Sequence, residues 1–140
     1  MTRRDLSFLL PALAAVRASA QDDGTELPSK LYHDKQIAFT GDEQKKGRRF
    51  FYGTTHTGYR IEMHETVLGA GTQTHAPHKH EHEEIVIVTQ GTVEMYEEGK
   101  TEVAETGSVI YFGSNRMHSV RNVGSTPCSY YVLELRASGA

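Results

Sequence analysis

Between His78 and Glu84 the chain reads HKHEHEE, placing three of its eight histidines among three glutamates. Imidazole and carboxylate groups hold divalent transition metals and also serve as general acids and bases. The β-branched run IVIVT follows at once. On a straight strand His78, His80, His82 and Glu84 would share one face. At a rise of about 3.3 Å per residue, however, His78 and Glu84 would lie roughly 20 Å apart, and ligands of one ion must come within about 2 Å of it. If these side chains cooperate, the chain bends between His80 and Glu84. Glu81, His82 and Glu83 then form the bend, and His82 is assigned no ligand role. A helix would place His78 and His82 on one face, but Pro77 before them and the β-branched run after them favour extended structure. The zinc-protease pattern H-E-x-x-H is absent.

The spacing runs H-x-H, three residues, Glu84, six residues, Gly91, and further on Gly107, His118 and Asn122. These residues resemble the two signature motifs of the cupin superfamily. Two departures fall in the second motif, where Gly113 stands for a proline and Asn115 for a glycine. Asparagine is the residue after glycine that most readily takes positive φ. In the first motif Gly71 precedes His78 by one residue more than the pattern, leaving His75 on a lengthened loop. The resemblance implies an all-β, single-domain cupin, a double-stranded β-helix or jelly-roll barrel, with a metal held at its mouth by His78, His80, Glu84 and His118. It also implies a homodimer.

Three imidazoles and one carboxylate suit Mn, Fe, Co, Ni, Cu or Zn better than the all-oxygen shells of Ca or Mg. Four protein ligands around a six-coordinate ion leave two positions for water, dioxygen or a chelating substrate. Iron or manganese is favoured if the chain folds inside the cell before export. The expected activity is a metal-dependent oxidoreductase, dioxygenase-like, on a small chelating oxygen-donor substrate. The alternatives are a metal-assisted binding protein for a sugar or organic acid, a non-redox lyase, decarboxylase or isomerase, and a metal that only stabilises the fold.

The elements that must position these residues are short runs separated by Gly-containing breaks: RRFFYGTT, YRIEMHETVL, EIVIVTQ, TVEMYEE, TEVAET, SVIYF, HSVRNV and CSYYVLELRA. Eight strands at such intervals predict a sandwich or barrel over residues 48–137. Residues 21–47 read as a polar linker and an arm lying on the barrel, with no helix. Parity turns Val86 and Val88 inward with Glu84, and Val120 and Asn122 inward with His118, which predicts a largely apolar substrate pocket lined by these four. Ile85 and Ile87 then face outward, to be covered by the arm or a second subunit. His33, His56 and His64 read as surface or strand histidines. Tyr111, Tyr130, Tyr131, Glu62 and His64 include possible acids or bases whose orientation the sequence leaves open.

At 140 residues, 37% hydrophobic and 24% charged, the chain is one soluble domain by length and composition. A net charge of -3 offers no basic stripe, which argues against nucleic acid or an anionic membrane as partner and leaves a small-molecule substrate. The lone Cys128, in an apolar run, reads as a small buried hydrophobe. Residues 1–20 read as an export signal peptide. Arg3 and Arg4 precede an apolar stretch that ends at Ala18-Ser19-Ala20, a pattern similar to the twin-arginine signal, and a periplasmic or secreted protein is expected.

Overall fold

The computed structural model describes residues 25–139, so the expected signal peptide at 1–20 and the start of the linker lie outside the described residues. Among the described residues nine strands follow one another: β1 (Thr40–Gly41), β2 (Lys45–Thr54), β3 (Tyr59–Leu68), β4 (Glu83–Gln90), β5 (Thr92–Glu97), β6 (Lys100–Glu105), β7 (Val109–Phe112), β8 (His118–Asn122) and β9 (Cys128–Ala137). The eight apolar runs of the sequence correspond to β2 through β9. The two-residue β1 is an addition, paired with β2 through Thr40 and Gly47. β2 starts at Lys45, three residues ahead of the expected barrel edge. A single 3-10 turn, Asp34–Gln36, is the one helical element among the described residues.

The strands form two antiparallel sheets, one ordered β1-β2-β3-β9-β4-β7 and the other β6-β5-β8. Alternation sends one side of each strand into a shared core, as in β7, where Ile110 and Phe112 are buried while Val109 and Tyr111 are exposed. Leu68, Val86, Val88, Phe112, Cys128 and Tyr130 of the larger sheet meet Val93, Ala104 and Val120 of the smaller. Cys128 is fully buried, as its apolar setting predicts. Gly91 ends β4 at φ +80, and a Cβ there would come within 2.9 Å of the Cys128 Cβ, so both conformation and space require glycine.

The arm covers a different part of the outer face from the one expected. A bulge between Arg49 and Phe51 puts an extra residue into β2. Both neighbouring rings find aromatic partners there, Phe50 on Tyr131 and Phe51 on Tyr32 of the arm. Arg48 ties the arm down, donating to the Asp34 carbonyl at 2.7 Å, stacking on Phe39 and pairing with Glu65 at 2.6 Å. These contacts lie at β2. Ile87 stays 38% exposed, next to Val109 at 65% and Tyr111 at 58%. The expected covering of Ile87 by the arm is therefore not found among the described residues.

Candidate metal centre

The four residues reach one point from three parts of the chain. His78 sits on the loop before β4 and pairs with His118 at the start of β8 through two backbone hydrogen bonds, of 3.0 and 2.8 Å. The Asn115 amide donates to the His80 carbonyl at 2.7 Å, fixing the next histidine. Asn115 has φ +57, the left-handed conformation expected at this substituted position. The chain then bends at Glu81 and His82 before β4 begins. A straight strand would hold His80 and Glu84 about 13 Å apart, yet here the His80 Nε2 lies 2.9 Å from the Glu84 Oε2. His118 Nε2 reaches the same oxygen at 2.6 Å from the opposite sheet. One donor atom from each of His78, His80, Glu84 and His118 lies within 4.8 Å of the others.

The imidazoles are oriented as ligands require. Each Nδ1 meets a backbone carbonyl: Ala76 for His78 at 3.3 Å, His82 for His80 at 2.9 Å and Arg116 for His118 at 2.8 Å. A carbonyl can only accept, so each Nδ1 carries a proton and Nε2 is left as the atom that faces an ion, the His118 Nε2 once it gives up the proton it shares with Glu84. Phe112 stacks on His118 at 4.4 Å and fixes its plane. Donor set, tautomers and spacing together fit a divalent metal site.

Electrostatics divide the set. Burial lowers the pKa of His78 and of its neighbour His75, favouring the neutral rings. For His118 burial acts the same way, but the Glu84 carboxylate and the Arg116 carbonyl outweigh it and raise the pKa. Burial would raise Glu84, and the hydrogen bond from His118 together with the nearby imidazoles outweighs it and lowers the pKa. Without metal, the proton between His118 and Glu84 stabilises the fold from above the carboxylate's lowered pKa up to the raised pKa of His118. Metal binding must displace that proton. Uptake should therefore release protons below the raised pKa of His118, with the release fading as pH rises through it, and affinity should fall steadily with acidification. Calorimetry in buffers of different ionisation enthalpy measures this directly. Uptake that releases no proton as pH is lowered past the ordinary histidine range would show that His118 is neutral before metal arrives.

The centre opens into a cavity of about 370 Å³. Val86 and Val120 line it, as expected, but Val88 and Asn122 do not. Parity turns Val88 inward, yet it lies in the packed core. Asn122 is fully buried and clamps the loops around it. Its Nδ2 donates to the carbonyls of Leu68, Gly69 and Thr126, and its Oδ1 accepts from the Gly124 amide. The expected apolar pocket is also corrected: Lys45, His64, His75, His82, Tyr130 and Glu134 share its walls. Glu134 escaped the sequence reading because its place beside Glu84 depends on the pairing of β9 with β4. Of the residues whose orientation was open, Tyr130 and His64 face the cavity. Tyr111 points away and donates to Glu83 at 2.7 Å, and Tyr131 meets Phe50 on the outer face. Glu62, held below the usual carboxylate pKa by the His64 ring 3.4 Å away, lies just beyond. His56 contacts Glu26 at 3.1 Å, far from the centre. The rings of His82 and His80 stack at 3.4 Å, and the His82 Nε2 lies 3.3 Å from Glu134.

A single antiparallel barrel with a cluster of three imidazoles and one carboxylate defines a class of small metal-binding β-barrel domains. The chain belongs to the cupin-2 family, whose family model, described as Cupin domain, matches residues 64–134. Curated proteins give no match. Among solved structures, the chain is similar to an RmlC-like cupin from Shewanella frigidimarina, with a TM-score of 0.66, 12% identity and coverage of 80% of this chain and 95% of that one. KdgF from Halomonas sp. gives a TM-score of 0.66 at 15% identity, over 78% of this chain and 96% of that one. A predicted oxalate decarboxylase from Thermotoga maritima gives 0.61 at 19% identity, over 75% and 97%. At these identities the likeness is one of fold.

Proposed function

We propose that this protein is a metal-dependent enzyme acting on a small oxygen-donor substrate that chelates the ion. The observation that carries this reading is the convergence of His78, His80, Glu84 and His118, each imidazole Nδ1 anchored to a carbonyl, at a cavity large enough for a small molecule. A divalent transition metal held there would supply Lewis acidity at a bound oxygen, with redox chemistry as well if it were iron or manganese. The chain's own side chains supply proton handling. Glu134, beside His82, can hold or move a proton at its carboxylate, and the buried Tyr130 hydroxyl, set beside Thr66 and Thr74 in the cavity wall, can donate to a substrate oxygen.

This polar wall favours a proton-transfer reaction, a lyase, decarboxylase or isomerase, over the oxygen-using oxidoreductase, which is the second reading and uses the same centre. The polyketide cyclase RemF and a sugar phosphate isomerase, both similar to this chain in fold, support the range of chemistry this fold carries. Arg3, Arg4 and the Ala18-Ser19-Ala20 site support placing the protein in the periplasm or outside the cell. Exposed Ile87, Val109 and Tyr111 support a homodimer.

The test is to load the protein separately with iron, manganese and zinc, and to offer diols, hydroxy acids and 2-oxo acids under air and under argon. Conversion under argon that Glu134→Gln abolishes is the expected result. Product formed only with matching oxygen uptake would install the oxidoreductase instead. Tight binding without conversion in either atmosphere would leave a binding protein.

A further inference from the structure

Lys45, Thr66, Thr74 and Tyr130 form a corner of the metal cavity that the metal-binding side chains do not use. Strand register assembles it. Lys45 faces Leu68 across β2 and β3, and two places further Gly47 faces Thr66, which in turn faces Tyr130 across β3 and β9. Parity therefore puts Lys45, Thr66 and Tyr130 on the inner side of the larger sheet. Thr74 comes from the loop ahead of His78 and meets the Lys45 ammonium, which donates to its carbonyl at 2.6 Å. The next residue, His75, packs its ring edge-on against His78 with centroids 4.7 Å apart, so the corner adjoins the metal centre.

The corner is built of hydrogen-bond donors. Lys45 is the one lysine or arginine among the described residues lining this cavity. Its partner at Thr74 is neutral, which fixes the ammonium in place without matching its charge, and no carboxylate among the described residues pairs with it. The carboxylates nearby are engaged elsewhere: Glu84 with His80 and His118, Glu134 with His82, and Asp42 with the main-chain amides of Gln44 and Lys45. An ammonium carries three N–H groups, so two remain for a ligand. The Tyr130 hydroxyl, beside Thr66 and Thr74, is held well above its ordinary pKa by burial and stays a protonated donor. A cation next to hydroxyl donors suits an oxyanion, whose charge-assisted hydrogen bonds are the strong ones.

We propose that this corner binds a second, anionic group of the substrate, a carboxylate or a phosphate, while another part of the same molecule chelates the metal. The inference rests on the metal-dependent reading above and narrows its substrate class to small chelators that carry an oxyanion beyond the chelating group. Lys45 then acts as a specificity determinant, matching the charge of the tail, and Tyr130 donates to one of its oxygens.

The experiment titrates lactate, malate and phosphoglycerate into zinc-loaded protein at fixed ionic strength, followed by calorimetry and NMR. All three present the same 2-hydroxy acid to the metal, and they differ in carrying no further charge, a carboxylate or a phosphate. One of the charged tails should bind about fivefold or more tighter than lactate, and the tighter of the two identifies the oxyanion. It should also shift the NMR signals of Lys45 and Thr74, which lactate leaves in place. Lys45→Gln should remove the preference, Lys45→Arg should retain most of it, and both should leave zinc affinity unchanged. Zinc uptake with no preference for either charged tail, or a preference that Lys45→Gln leaves intact, would overturn the inference and leave the metal reading standing. No zinc uptake at all would overturn the metal reading and this inference with it. Should a variant fail to fold, the wild-type affinities and the shifts at Lys45 and Thr74 decide.

Discussion

Glu84→Ala should lose tight metal binding altogether, a larger effect than the roughly hundredfold that removal of an outer-shell partner costs. Glu84 is the only carboxylate of the four, and its Oε2 is the point on which His80 and His118 converge, at 2.9 and 2.6 Å. Its removal takes away the anionic ligand and leaves imidazoles facing one another. His80→Ala and His118→Ala should have comparable effects. His82→Ala should cost no more than about tenfold, because the group that orients His80 is the His82 main-chain carbonyl, which the substitution preserves. What is lost is a stacked ring. Competition against a chelator of known affinity ranks the four variants. A loss at His82 equal to that at Glu84 would mean the imidazole itself coordinates and would undo the assignment of the bend.

Asn122→Ala should destabilise the fold by about 3 kcal/mol, since its fully buried carboxamide clamps three loop segments together and the Leu68 carbonyl it serves lies in the interior. It donates to the carbonyls of Leu68, Gly69 and Thr126 and accepts from the Gly124 amide, and of these the Gly69 carbonyl has further donors, the Thr72 amide and hydroxyl. For a domain of this size that corresponds to a fall in Tm of roughly 10 °C or more. Thermal denaturation monitored by circular dichroism measures it. Metal affinity well below the transition should not change. An unaltered Tm with weakened metal or substrate binding would return Asn122 to the pocket from which the structure removes it.

These two residues show what the sequence could and could not convey. The period-two pattern located β2 through β9, and an argument from strand length required the bend that joins His80 to Glu84. Both depend on neighbours within a few residues. Parity also assigned Val86, Val88, Val120 and Asn122 to the inner face correctly, but it says nothing about depth. Only Val86 and Val120 lie at the level of the cavity, while Val88 is in filled core. The polar wall was hidden for a related reason: Glu134 meets Glu84 only through β9–β4 register, and His64 enters only through its pairing with Val132. Such pairings are set by turns and bulges far away in sequence. The arm's path was equally hidden, because it follows Arg48 and a bulge in β2.

The five residues of β8 begin with His118 and end with Asn122, and so fasten the barrel at both ends. His118 contacts Glu84 across 34 residues of sequence, and Asn122 contacts Leu68 across 54. Neither contact stabilises anything until a long loop has closed, so the conformational entropy is lost before the interactions form. Folding of this chain should accordingly be slow, with the transition state reached late. Once β8 is seated, opening either end exposes groups held at the other, so the native state should unfold as a unit, without a populated form in which only one end has come apart.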